Sequence, residues 1–278
     1  MRYLGGFSHG VISYMKDIVK RILAMFGYRL VRKEMIHIPD IKYVSLLNAF
    51  AENIRNDHLP SMPVLSREQA LLTAELAGIN EAQAFFLLDA LSRSLQLDGD
   101  ICEFGVAQGA TSALIAESIR ATTKRLWLFD SFEGLPSPSK KDLLLDDILG
   151  LGSIERYKGQ MSCPESQVLE RLGKIKFPND RVEIVRGFVE TSLLADRVPT
   201  KVAFAFVDLD FYEPIRTVLH YLDRVLVPEG IVLVHDYGFL STGVKTAVDE
   251  FFESNQARYS MDFPSGPIRH CCLLQRRV

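Results

Sequence analysis

AFAFVDLDFYEP, residues 203–214, is the stretch that decides the fold. Five apolar residues lead directly into Asp208, and Asp210 follows two positions later. A second stretch, GIVLVHDYG at 230–238, ends in the same way with His235 and an acidic neighbour. A continuous apolar strand is typically buried on both faces, so charged residues mark the point where it leaves the core. We therefore expect two buried strands whose ends build one site.

Short apolar runs alternate with helical segments from residue 99 onward. Strands are predicted near 100–104, 125–129, 182–185, 202–207 and 230–234, and helices near 109–121, 165–173, 212–226 and 242–254. Two further strands are predicted at 258–263 and 270–277. Apolar strands separated by helices indicate a parallel sheet covered on both faces. The predicted fold is a doubly wound, Rossmann-like α/β sheet of seven strands, whose ligands bind at the carboxyl ends of the strands.

The composition of the 278 residues is that of an ordinary globular protein, with 47% hydrophobic and 24% charged residues. The net charge of −3 gives no reason to expect a nucleic-acid partner. No apolar run approaches the roughly 18 residues that a membrane span needs, and we find no signal-peptide pattern. The four cysteines lack the spacing of a zinc site or a disulfide framework. These features predict a cytoplasmic protein with reduced cysteines.

Residues 1–65 form a predicted helical extension, and residues 66–278 form the predicted α/β domain. Apolar residues recur at helical spacing from Ile12 to Phe26, with basic residues among those that separate them. We expect this stripe to pack on the chain itself or on a second subunit, which makes a homo-oligomer the expected assembly. The alternative is a basic amphipathic helix that makes peripheral contact with an anionic membrane surface.

A glycine turn follows the first predicted strand, in EFGVAQGATS at 103–112. Gly105 and Gly109 lie where the strand passes into a helix, and a missing Cβ lets the backbone approach a ligand at the helix N-terminus. The spacing is not the G-x-G-x-x-G of dinucleotide sites, and Glu103 places a carboxylate within the turn. A carboxylate suits a ligand with a cationic group better than a ligand with a diphosphate.

The second predicted strand, LWLFDSF at 126–132, contains Asp130 at its end. An acid at a strand end, about 20 or more residues after the glycines, is where a carboxylate accepts hydrogen bonds from ribose hydroxyls. The alternative role for Asp130 is a helix cap. The glycine turn and the acid together, on consecutive strands, favour a nucleoside ligand.

Six segments resemble, in order, those of the macrocin O-methyltransferase family. They are GDICEFGVAQGATS (99–112), LFDSFEGLP (128–136), VRGFVETS (185–192), FVDLDFYEP (206–214), PEGIVLVHDYG (228–238) and GVKTAVDEFF (243–252). Members of that family are S-adenosylmethionine-dependent enzymes that methylate sugar hydroxyls on natural products and related glycosides. The resemblance identifies residues 66–278 as a methyltransferase domain. It implies a class I methyltransferase sheet with strand order 3-2-1-4-5-7-6 and an antiparallel last strand.

The resemblance also implies which residues bind S-adenosylmethionine. The implied set is Glu103, Gly105, Gly109, Thr111, Ser112, Asp130, Ser131, Gly187 and Phe188. Within it, Glu103 and the two turn glycines lie near the methionine moiety. Asp130 holds the ribose, and the pair after the third strand lies beside the adenine.

A divalent metal, Mg²⁺ or Mn²⁺, is a further implication of the resemblance. Its implied ligands are Asp208, His235 and Asp236, and the implied catalytic residues are Asp208 and His235. The family usually has Asp-Asp-Tyr where this chain has His-Asp-Tyr at 235–237. Mg²⁺ prefers oxygen ligands, and imidazole suits transition metals. Three alternatives follow: a softer metal on all three residues, a weak magnesium site on the two acids, or a metal-free site with His235 as general base.

The predicted function is O-methylation of a sugar hydroxyl on a glycosylated natural product or a surface glycan, so the expected partner is a small glycoside or polyol. A bound cation would lower the pKa of that hydroxyl and orient it. Two alternatives remain: a catechol-like methyltransferase of a small aromatic diol, and a nucleoside-binding protein without catalysis.

Asp210 fits either the start of a helix or a contact with substrate. The long connection at 134–166 is a candidate lid.

Overall fold

A computed structural model of the chain describes residues 40–266 and 268–278. Val44–Val278 form one compact unit, which includes part of the predicted N-terminal extension. The apolar stripe between residues 12 and 26, with its expected contacts to a second subunit or a membrane surface, lies outside the described residues. Within the described part of the chain, no helix has the length and apolar character needed to cross a membrane.

Helices and strands alternate along most of the described chain. The helices are α1 (Asp40–Asp57), α2 (Arg67–Ala74), α3 (Glu81–Ser94), α4 (Ala110–Ser118), α5 (Glu165–Lys174), α6 (Val189–Ser192), α7 (Tyr212–Val225) and α8 (Thr242–Asn255). The strands are β1 (Asp100–Phe104), β2 (Leu126–Asp130), β3 (Val182–Arg186), β4 (Val202–Val207), β5 (Leu226–His235), β6 (Tyr259–Asp262) and β7 (Cys271–Arg276). Short 3₁₀ turns occur at Ile154–Tyr157 and Asn179–Arg181.

The seven strands form one sheet in the order β3-β2-β1-β4-β5-β7-β6. The first five are parallel, whereas β7 runs antiparallel to β5 and to β6. This arrangement confirms the predicted strand order and the antiparallel last strand. Two helices of the N-terminal half begin with capping boxes, at Ser66 with Gln69 and at Asn80 with Gln83.

Strand β4 lies at the centre of the sheet, and all of its residues are buried. Ala205 and Val207 pack with Ile215 and Val218 of α7 in the main core. A strand that is apolar on both faces needs helices on both sides of the sheet. Each fully buried Val or Phe side chain contributes about 1.5–3 kcal/mol, so this strand is held firmly in place.

The carboxyl ends of four parallel strands are level with one another. Phe104, the last residue of β1, pairs with Phe129 of β2 and with Val207 of β4. Val207 in turn pairs with Val234 of β5. The residues that come next at this edge are Gly105, Asp130, Asp208 and His235.

The connection at 134–166 packs on the starts of α7 and α8. A second buried cluster joins it to them: Ile154, Tyr157, Phe211 and Leu240. Leu144 also forms an antiparallel bridge with Ser241, at the beginning of α8. The connection therefore has a packed core of its own beside the carboxyl edge of the sheet.

Four large apolar residues between positions 143 and 149 of this connection are exposed and form what we term the apolar strip. They are Leu143, Leu145, Ile148 and Leu149, with exposed fractions of 63%, 55%, 43% and 45%. Leu144 is instead partly buried against the second cluster, so its two neighbours point away from that cluster. Ile148 also lines a pocket at the edge of the sheet, which connects the strip with that pocket.

Candidate active site

A pocket at the carboxyl edge of the sheet receives both predicted halves of the site. Of the residues predicted from sequence, it is lined by Gly105, Asp130, Ser131, Gly187, Phe188, Asp208, His235 and Asp236. Four others, Glu103, Gly109, Thr111 and Ser112, lie outside that lining. The glycine turn, the acid of β2 and the acidic end of β4 thus meet in one hollow.

Gly105 is a glycine because the end of β4 passes directly against it. Its φ is +86°, a left-handed conformation that side chains rarely adopt. A Cβ at this position would lie 1.8 Å from the backbone carbonyl oxygen of Asp208. The sequence predicted that a ligand approaches this glycine closely. In the structure, the backbone of Asp208 makes at least part of that close approach.

Glu103 is completely buried beneath the turn. Its carboxylate accepts hydrogen bonds from the hydroxyls of Thr111 and Ser112, in the first turn of α4. Burial raises the pKa of Glu103 to about 8, although these two hydrogen bonds act to lower it. Glu103 therefore secures the start of α4 rather than facing the pocket. Gly109, with a φ of +73°, is the N-cap residue of that helix.

Asp130 holds the glycine turn with its side chain. Its Oδ2 accepts hydrogen bonds from the amides of Val106 (2.7 Å) and Ala107 (2.8 Å), and its Oδ1 accepts one from the amide of Phe132 (2.7 Å). A carboxylate has about four acceptor positions. Three are filled by the protein, so one remains on Oδ1 for a ligand.

Gly187 and Phe188 follow β3 and line the same pocket beside Asp130. The amide of Gly187 donates to the carbonyl of Asp130 at 2.9 Å, which ties the end of β3 to the end of β2. Phe188 is the N-cap residue of the short helix α6. Ser131 is nearly buried, and its hydroxyl donates to the carbonyl of Gly134 at 3.1 Å.

Part of the pocket wall was not predicted from the sequence. The missed residues include Ala77, Gly78, Leu135, Pro136 and Ile148. Gly78 precedes the N-cap of α3 and has a φ of +92°, so a turn could be read there. The position of that turn at this edge depends on the tertiary fold.

The acidic half of the pocket brings Asp208, His235 and Asp236 together. One potential ligand atom from each residue lies within 4.8 Å of the others. The Nδ1 atom of His235 is 3.0 Å from an Oδ1 atom of each acid. Its Nε2 atom is buried and makes no hydrogen bond to any described residue. The polar partners of the imidazole within the described chain are therefore the two carboxylates.

Two of the distances within this group match those between adjacent ligands of a divalent metal. Ligands about 2.1 Å from an octahedral ion lie about 3.0 Å apart when they are adjacent. The two distances from His235 Nδ1 are each 3.0 Å. Two carboxylates with one imidazole form a mixed oxygen and nitrogen donor set, which suits Mn²⁺ and softer ions better than Mg²⁺.

The carboxylates of this cluster keep the imidazole of His235 protonated when no cation is bound. Burial alone would lower the pKa of His235, but the nearby carboxylates, Asp208 foremost, outweigh it and raise the pKa to about 9. Burial raises the pKa of Asp236 to about 6, although the His235 charge opposes that shift. Because the pKa of His235 is about 9, the imidazole carries its proton at any pH below that value. At neutral pH His235 is then an ion-pair partner and is poorly suited to act as a general base.

Asp210 belongs to the pocket as well as to the start of α7. It lines the pocket, it is only 8% exposed, and its carboxyl group shares a hydrogen bond with Asp236. Burial, reinforced by Asp208 and Asp236, raises the pKa of Asp210 well above its usual range. Its φ of +62° is left-handed, which costs on the order of 1 kcal/mol or more for a residue with a side chain.

The pocket as a whole is acidic. Its lining includes five carboxyl groups, from Asp130, Glu190, Asp208, Asp210 and Asp236. Among the described residues of that lining, none is Lys or Arg, and the protonated His235 is the cationic side chain that faces these acids. Such a lining favours ligands with a positive charge and disfavours ligands with a negative charge.

Comparison with known sequences identifies relatives of this chain. The profile of the family described as Macrocin-O-methyltransferase (TylF) matches residues 88–263. The chain is also 28% identical, over 174 residues, to the 8-demethyl-8-(2,3-dimethoxy-alpha-L-rhamnosyl)-tetracenomycin-C 4'-O-methyltransferase of Streptomyces olivaceus. That match covers 61% of this chain and 62% of the relative. The chain therefore spans less than two thirds of the length of this relative.

Comparison with solved structures identifies the same kind of fold. The O-methyltransferase NovP superposes with a TM-score of 0.63 at 19% identity, covering 86% of this chain and all of NovP. The calicheamicin methyltransferase CalS11 superposes with a TM-score of 0.56 at 21% identity, covering 83% of this chain and 91% of CalS11. These likenesses confirm the predicted class I, Rossmann-like fold. Because the family profile matches more than half of its length, the chain belongs to the macrocin O-methyltransferase family.

Proposed function

We propose that this protein uses S-adenosylmethionine to methylate a sugar hydroxyl of a glycoside, with a divalent metal in its acceptor site. One observation carries the proposal: Asp130 and Asp208, on strands that flank β1, line the same pocket. A nucleoside-binding turn beside an acidic cluster brings a methyl donor and an acceptor hydroxyl together. Such positioning lowers the barrier because the two reactants no longer have to find each other.

S-Adenosylmethionine occupies the half of the pocket beside the glycine turn. One ribose hydroxyl donates to the acceptor position that remains on Asp130 Oδ1, and the adenine lies beside Gly187 and Phe188. The sulfonium is a cation, so the acidic lining stabilises it. Gly105 keeps the floor of this half free of side-chain atoms.

In the transfer step, the acceptor oxygen attacks the sulfonium methyl group in line with the bond that breaks. The oxygen–carbon bond forms, the sulfur–carbon bond breaks, and neutral S-adenosylhomocysteine is left. The hydroxyl proton passes to the carboxylate of Asp210. Bound cations favour the ionised form of that carboxyl group, and its burial makes the ionised form a stronger base.

Asp208, His235 and Asp236 hold the metal in this proposal. When bound, a divalent ion lowers the pKa of the acceptor hydroxyl and orients it. His235 carries a proton in the absence of a cation, so the binding of a metal would displace that proton. The mixed donor set favours Mn²⁺ over Mg²⁺.

The proposed acceptor is an uncharged glycoside with an apolar aglycone. Five carboxyl groups without a facing Lys or Arg in the described lining disfavour the diphosphate of a nucleotide sugar. The apolar strip continues outward from the pocket at Ile148, where an aglycone can cover it. Exposed apolar patches of this kind often mark binding surfaces. The curated relative, by its name, acts on a rhamnosyl group attached to tetracenomycin.

The acceptor proposal predicts a preference among rhamnosides. We expect methyl transfer from labelled S-adenosylmethionine to naphthyl rhamnoside, with kcat/KM about tenfold above that for methyl rhamnoside. Burial of about 60 Å² of apolar surface, at roughly 25 cal/mol per Å², corresponds to that factor. Nucleotide-linked rhamnose should be a poorer acceptor than either. Transfer to catechol alone would instead support the aromatic-diol alternative, and failure to bind S-adenosylmethionine in calorimetry would support a non-catalytic protein.

Removal of the metal should abolish most of the turnover. After EDTA treatment and desalting, we expect kcat to fall more than about tenfold, because the acceptor hydroxyl loses its activating cation. Mn²⁺ should restore kcat better than Mg²⁺, and His235→Asp should reverse that preference. Calorimetric Mn²⁺ affinity should rise between about pH 6 and about pH 9 as His235 becomes easier to deprotonate. Full turnover by a protein shown to be metal-free would contradict the metal assignment.

A further inference from the structure

Asp142 is a buried acid that does not line the pocket. It lies in the 134–166 connection and is only 2% exposed. Its Oδ2 accepts the amide and the hydroxyl of Ser139, each at 2.7 Å. Its Oδ1 accepts the amide of Tyr212, the first residue of α7, at 2.8 Å. One carboxylate therefore bonds the connection to the helix that follows Asp210.

Ser241 is a second buried group at the same place. Its hydroxyl donates to the backbone carbonyl of Asp210 at 2.8 Å and accepts the amide of Gly243 at 3.1 Å. It also lies 3.4 Å from Asp142 Oδ1. A Cβ on Gly243 would lie 1.8 Å from that same oxygen. The glycine thus leaves room for a carboxylate between the starts of α7 and α8, where two helix dipoles stabilise its charge.

These two side chains bond the backbone directly after Asp210, on its C-terminal side. Ser241 bonds its carbonyl, and Asp142 bonds the amide two residues further along. Around Asp210 the chain makes a tight turn, in which the amide of Phe211 donates to the carbonyl of Leu209 at 2.7 Å. A left-handed residue with a side chain persists only where its surroundings hold it. Asp142 and Ser241 supply that restraint.

We propose that Asp142 and Ser241 are positioning residues, which hold the carboxyl group of Asp210 in the acceptor half of the pocket. This inference rests on the role of Asp210 in the proposed function. The 134–166 connection would then help to position Asp210 for methyl transfer, in addition to its candidate role as a lid. Neither residue touches the reacting atoms, so both act through Asp210.

The connection has other anchors that do not involve Asp142. Lys141 Nζ lies 2.8 Å from the hydroxyl of Tyr212 and 2.6 Å from a carboxylate oxygen of Glu250. Asp147 accepts hydrogen bonds within the connection, from the amide of Leu151 and the hydroxyl of Tyr157 among others, each at 2.8 Å. Loss of the Asp142 charge should therefore loosen the Asp210 turn without releasing the connection.

The matched variants are Asp142→Asn and Asp147→Asn, which remove one charge each from the same connection. For Asp142→Asn we expect kcat to fall about tenfold, with KM for the acceptor and Kd for S-adenosylmethionine within about twofold. Asp147→Asn should keep kcat within about twofold. Hydrogen exchange should become faster at residues 209–213 in Asp142→Asn alone. Equal effects of both variants, or unchanged exchange at 209–213, would overturn the inference.

A double-mutant cycle separates this inference from the proposed function. Asp210→Asn removes the group that is being positioned, so adding Ser241→Ala should lower kcat by no more than about a further twofold. If the two losses multiply instead, Ser241 acts independently of Asp210 and the inference is wrong. If Asp210→Asn alone keeps the wild-type kcat, the proposed role of Asp210 fails. The exchange measurement still tests the positioning in that case, because it needs no turnover.

Discussion

Asp208→Asn is expected to lower kcat by about 10²–10⁴-fold, while Kd for S-adenosylmethionine stays within about twofold. The side chain of Asp208 is 25% exposed and pairs with Nδ1 of His235 at 3.0 Å. Loss of its charge removes one carboxylate from the proposed metal site and leaves His235 with a single acidic partner. Only the backbone carbonyl of Asp208 approaches Gly105, and asparagine keeps that carbonyl in place.

Calorimetry with S-adenosylmethionine and a single-turnover methyl-transfer assay would measure the two quantities separately. The matched control is Asp98→Asn, which removes the same charge from a side chain that is 82% exposed. Asp98 precedes β1, at the opposite edge of the sheet, so its replacement should leave kcat and Kd unchanged. If Asp208→Asn abolished cofactor binding in a folded protein, the division of the pocket into two halves would be wrong.

Asp130→Ala should weaken S-adenosylmethionine binding by about 10- to 150-fold. A hydrogen bond to a charged group contributes about 1.5–3 kcal/mol, which corresponds to that range of Kd. The substitution also frees the amides of Val106, Ala107 and Phe132, so the glycine turn loses its restraint. We expect the higher end of the range for this reason.

Calorimetry at constant pH would measure this change in Kd. Asp130→Asn is the informative companion, because its amide oxygen can still accept one or two of the three backbone hydrogens. Its Kd should therefore fall between those of the wild type and Asp130→Ala. A thermal melt would report the free energy of unfolding lost with the turn. A Kd for Asp130→Ala equal to that of the wild type would contradict the proposed ribose contact.

Much of the architecture could be predicted from local sequence. The uninterrupted apolar run at 202–207 has one stable location, the centre of a sheet covered on both faces. The start of β5 could not be predicted in the same way. The strand begins at Leu226, four residues before the predicted 230, and its early part contains Pro228 and a left-handed Glu229. Polar and left-handed residues obscure a strand when periodicity is the only signal.

The site was partly predictable because strand ends in a parallel sheet share one edge. That rule brings Asp130 and Asp208 together without knowledge of any side-chain conformation. It does not decide where a carboxylate at that edge points. Glu103 turns toward two hydroxyls from α4 and away from the pocket. Gly78 comes from a connection outside the sheet, so only the tertiary fold brings it to the site.

The three amide hydrogen bonds of Asp130 have a consequence for the kinetics of cofactor capture. These bonds hold the turn in one conformation without a ligand, so we expect capture of S-adenosylmethionine to require no rearrangement of this turn. Association should then follow a single exponential whose rate rises linearly with ligand concentration, without a plateau. A turn that is already ordered also loses little conformational entropy when it binds the methyl donor.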